Sequence, residues 1–92
     1  MNEQTKHTPG PWYEAKTGNH QGLIVDEKTG ENIAVAYDKK NARLIAAAPQ
    51  MLEACELVEA ALLNGKPSNP ERQRAAMLNI LRTAIAKAEG RE

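Results

Sequence analysis

The chain is poor in aromatic residues: of 92 positions only Trp12, Tyr13 and Tyr37 are aromatic, and there is no Phe. Its core must therefore come from Ala, Leu, Ile, Val and Met, most of which bury less area apiece than an aromatic ring. Cysteine is nearly absent as well. The single Cys55 excludes an internal disulfide framework and points to a reducing compartment. Neither sign of charge is in surplus, since twelve Lys and Arg face twelve Asp and Glu. That balance removes the electrostatic basis of the simplest nucleic-acid and anionic-membrane readings. No apolar run reaches the roughly 20 residues of a bilayer span, and Met1–Lys6 is too polar for a secretory leader. Groups for covalent catalysis are scarce: the one Ser, Ser68, lies in a linker between prolines, and Cys55 has no His near it in sequence. His7, His20 and Cys55 do not make a metal-ligand set. No cofactor motif is present. These shortages predict a non-catalytic protein.

What remains reads as a single α+β domain over 9–92, behind a mobile tail at 1–8. Pro9-Gly10-Pro11 forces a turn, because each Pro fixes φ and Gly10 is free to take a positive one. Short apolar stretches predict strands at 12–15, 23–26 and 31–37, with 16–22 as a loop and 26–30 as a turn. The expected result is a three-stranded antiparallel sheet over 12–37. Alternation puts Ile33, Val35 and Tyr37 on one face and Ala34 and Ala36 on the other, small enough for a helix to approach closely.

Beyond Asp38 the period becomes helical. Asp38 is the expected N-cap of a helix over 39–48. Pro49 then either opens a second helix, 49–63, or kinks one continuous helix. Asn64-Gly65 supplies a left-handed stop, and Asn69, Pro70 and Glu71 are start signals for a last helix over 70–89, ending at Gly90. The last two helices are expected to form an antiparallel hairpin.

Met51, Cys55, Val58 and Leu62 make a narrow apolar seam on the second helix. On the last helix the apolar arc from Met77 to Ala88 is wider than one partner requires. Either a sheet and a helix both cover it, or another subunit does, and the small size of the chain favours a homo-oligomer. Glu53, Glu56 and Glu59 make the second helix acidic, whereas Arg72, Arg74, Arg82 and Lys87 make the last one basic. Weak mutual attraction between the two is expected.

One polar constellation suggests binding. Trp12, Tyr13 and Tyr37 are flat platforms, and Asn41 and Arg43 follow closely on Tyr37. Stacking on an aromatic face combined with a bidentate guanidinium on phosphate is what a nucleotide-sized ligand needs. Lys39 or Lys40 adds positive charge, and His20, with Asn19 and Lys16, closes over the site from the first loop. The competing reading has Trp12 plugging the sheet end while Arg43 and Asn41 satisfy backbone groups.

His7-Thr8-Pro9-Gly10-Pro11-Trp12 and Asn41-Ala42-Arg43-Leu44-Ile45-Ala46-Ala47-Ala48-Pro49, followed by Met51-Leu52-Glu53-Ala54, resemble a family of small bacteriophage and prophage proteins. With the spacing between them the motifs span roughly the first 55 residues; beyond that the likeness is in helical character alone. The resemblance implies a protein of the infected host's cytoplasm, acting as an accessory factor. In layout the chain is also similar to phage anti-defence sponges, which sequester the nucleotide messengers of bacterial immune systems. That likeness implies a nucleotide-derived ligand and a symmetric assembly, and carries over no binding residue. The alternative is a module that inhibits a host protein through Ile80, Ile85 and Ala88 or through the acidic stripe.

Overall fold

The computed structural model describes residues 7–17 and 20–91, apart from the side chains of residues 16, 17, 20 and 21. Strands β1 (Trp12–Thr17), β2 (His20–Asp26) and β3 (Asn32–Val35) are followed by helices α1 (Lys39–Ala46), α2 (Ala48–Leu63) and α3 (Pro70–Glu89). The strands form one three-stranded antiparallel meander in the order β1-β2-β3. The fold is α+β, as the hydrophobic periods predict. Residues 1–6, the greater part of the expected tail, lie outside the described residues.

The strand boundaries differ from expectation at one end. Most of the anticipated 16–22 loop is strand, and Thr17 pairs with His20 across positions 18 and 19. Polar residues at the sheet edge hid this pairing, because a two-residue connection needs no apolar content. β3 is shorter than expected. Its ladder nevertheless continues one step, where the Ala36 amide donates to the Gly22 carbonyl at 2.8 Å. A Cβ on Gly22, which has φ +92°, would stand 1.8 Å from the Ala36 carbonyl oxygen, so this approach requires glycine.

Local signals place the helix ends. Asp38 accepts a 2.7 Å hydrogen bond from the Lys40 amide, and Asn69 accepts one of 3.0 Å from Arg72. Ala47 separates α1 from α2, and Pro49 stands in the first turn of α2, so the chain breaks there rather than running on as one kinked helix. Gly90 closes α3 in the left-handed conformation at φ +75°.

The core is small. Ile24, Ala36, Ala42 and Ala46 form its buried cluster, with Trp12, Ile33, Ala34 and Ile45 packed around them. Ala36, just past β3, joins Ala42 and Ala46 of α1 around Ile24 of β2. Ile33 joins the core side because the register passes from Ile24↔Ala34 to Val25↔Asn32 and skips it. Val35 and Tyr37 are exposed. The chain measures 51 × 34 × 18 Å along its principal axes, the shortest being about two layers thick.

Candidate functional site

The two flagged motifs meet. A Cβ on Gly10 would stand 3.0 Å from the Pro49 ring and 3.3 Å from Cδ1 of Trp12, so the N-terminal Pro-Gly-Pro turn seats directly on the α1–α2 break. Beside this junction runs a groove of about 460 Å³ that includes His7, Gln50, Glu53 and Glu56. Behind it, Lys87 of α3 reaches across 75 residues of sequence. Its Nζ donates to the Trp12 carbonyl at 3.0 Å and to Oε1 of Gln50 at 2.7 Å, tying β1, α2 and α3 together.

On the far side of Lys87 lies a cleft of about 330 Å³ lined by Tyr13, Glu14, Lys39, Arg43, Ala46, Lys87 and Gly90. β1 presents Tyr13 and Glu14, the first turn of α1 presents Lys39, and the next turn presents Arg43. Arg43 lies across the end of α3: a Cβ on Gly90 would meet its Cδ at 2.8 Å and a terminal guanidinium nitrogen at 2.9 Å. The carboxyl end of a helix favours cations there. An ammonium carries three N–H donors, so Lys87 keeps one beyond its two protein acceptors. Three cations, Lys39, Arg43 and Lys87, with the Glu14 carboxylate at the wall, suit an anionic ligand.

The predicted site residues separate. Tyr13 and Arg43 come together, with Lys39 beside them. Trp12 belongs to the core side of β1; its indole Nε1 is buried with no hydrogen-bond partner among the described residues. Tyr37 is fully exposed and Asn41 is exposed, and neither lines the cleft. His20 opens β2, while its side chain, that of Lys16 and all of Asn19 lie outside the described residues. Sequence reading missed Lys87 and Gly90 as parts of this site. Only the basic last turn of α3 hinted at the first, and the distance along the chain concealed the link.

Arg43 also walls a second groove, of about 480 Å³, with Leu44, Met51, Ile85 and Ala88. Asp26, by contrast, is structural. Its carboxylate accepts from the Thr29 hydroxyl at 2.8 Å and the Thr29 amide at 2.9 Å, closing the β2–β3 turn. These bonds, the hydroxyl's first, hold its pKa below the ordinary 3.8.

Compared with protein families, residues 1–92 match that of Salmonella phage P22 protein Y8K6 over their whole length. The chain belongs to this phage protein family. Comparisons with curated proteins and with solved structures give no match. For this family member, no helix among the described residues is long and apolar enough to cross a membrane.

Proposed function

We propose that this phage protein binds a nucleotide-derived signalling molecule and withholds it from a host defence system, acting stoichiometrically, without turnover, as a homo-oligomer in the host cytoplasm. The observation that supports this reading is the cleft where Lys39, Arg43 and Lys87 converge beside Tyr13. Phosphate oxygens are met by the guanidinium fork of Arg43 and by the third Lys87 donor. Glu14 accepts from a sugar hydroxyl or an exocyclic amine.

The test is thermal denaturation with cyclic and linear mono- and dinucleotides. A ligand at 100 times its Kd adds about 2.7 kcal/mol of stability. Arg43→Ala abolishes that gain while leaving the ligand-free melting temperature close to that of the parent. No shift with any nucleotide, or an undiminished shift in Arg43→Ala, rejects the cleft as the site.

A further inference from the structure

Most of the apolar seam of α2 does not pack on α3; of its four members only Val58 is half-buried. The α2 residues that turn inward include Ala54, buried against α3, with Gln50 beside it over Ile80 and Ala84, while Leu57 at their edge is exposed. Met51, Cys55 and Leu62 stand roughly a quarter turn away and are exposed, Leu62 at 69 %. On the same broad side of the hairpin, α3 presents Leu78, Leu81 and Ile85, of which Leu78 and Ile85 are exposed. The groove between Leu44, Met51 and Ile85 is part of this side. The opposite side mixes Glu53, Asn79 and Thr83 with Leu57 and Ile80.

From this face we infer that a second copy of the chain covers it, forming a four-helix bundle in which α2 of one copy lies antiparallel across α3 of the other. Charge selects the pairing. Met51 shares a groove with Ile85 and Ala88, and Leu57 shares one with Ile80 and Thr83, so Glu56 stands level with Arg82. Among the described residues the ion pair is Arg91 with Glu89, so the acidic edge of α2 and Arg82 of α3 are not paired within the chain. A two-fold axis parallel to the helices sets Glu56 and Glu59 of each copy beside Arg82 of the other, twice over. Pairing α2 with α2 would bring the two acidic edges together. The inference rests only on the oligomeric part of the proposed function, and a cleft that takes no nucleotide leaves it standing.

The experiment is light scattering of the full chain during size exclusion, from micromolar to millimolar load. The parent elutes at twice the 10.1 kDa chain mass. The double variant Leu62→Glu/Ile85→Glu elutes at one chain mass with unchanged far-ultraviolet circular dichroism, because both side chains are exposed in the single chain. Arg82→Glu weakens the dimer, as does Glu56→Arg, and the two together restore it. Cys55 alkylates more slowly in the parent than in the monomeric variant. A parent that stays monomeric throughout, or an assembly indifferent to Leu62→Glu/Ile85→Glu, overturns the proposal. Loss of dimer without rescue by the charge swap overturns the α2–α3 pairing.

Discussion

In α1, a helix of eight residues, Ala42 and Ala46 are both buried, whereas α2 and α3, with 16 and 20 residues, bury only Ala54 and Ala84. The two regions use the same small aliphatic residues. What differs is the number of partners: α1 lies against β1, β2, α2 and α3, while each hairpin helix has one long neighbour and an open flank. A helix's apolar content therefore measures how much cover it needs, not how much it has within the chain. The sheet half leaves Val35, Tyr37 and Leu44 exposed; in the hairpin the shortfall is larger, with Met51, Leu62, Leu78 and Ile85 exposed toward one side and Leu52, Leu57 and Leu63 elsewhere.

Four substitutions break or sharpen this contrast. Ile24→Ala strikes the sheet half hardest, since Ile24 is the largest fully buried side chain, at 0 % exposure. Urea denaturation of this variant shows a loss of about 2–5 kcal/mol, and a loss below 1 would mean that the β2–α1 contact is not the core. Gly22→Ala follows, at about 1–3 kcal/mol in the same assay, because the added methyl collides with the Ala36 carbonyl and φ is positive.

Asp26 gives a smaller, pH-dependent effect. Its folded pKa lies below the unfolded one, so its contribution is complete above the unfolded value, near 3.8, and is lost as pH falls through the folded value. Asp26→Asn accordingly costs stability at pH 7 and less as pH drops below about 4, measured as a narrowing gap in melting temperature from the parent. A gap that stays constant with pH would remove the Thr29 bonds as its cause.

The smallest effect is at Leu63, which is 77 % exposed. Leu63→Ser changes the unfolding free energy in urea by no more than about 0.5 kcal/mol if solvent is its environment. A loss above 1 kcal/mol that grows with protein concentration would extend the covered surface to the outer edge of α2.

Much of the fold was legible because its signals are local. Asp38, Pro49, Asn69 and Gly90 each act through hydrogen bonds or torsions within a few residues, so the helix boundaries lie close to where the sequence puts them. The Ala34–Ala36 face was legible too, since alternation is a property of the strand. The hairpin between β1 and β2 was not, because polar edge residues resemble a loop. The candidate site was half legible. Tyr13 and Arg43 were named, but Trp12, the most conspicuous residue, was drawn into the core, and Lys87 entered from the other end of the chain.

The sequence by itself determined the element types and their caps and breaks, because short-range torsional and capping preferences depend only on neighbours along the chain. The tertiary structure decided that Trp12 packs on the core, which lysine joins Arg43, and which flank of the hairpin lies open. Those depend on the docking of α3 against β1 and α1, and contacts between residues 75 apart leave no period or spacing to read.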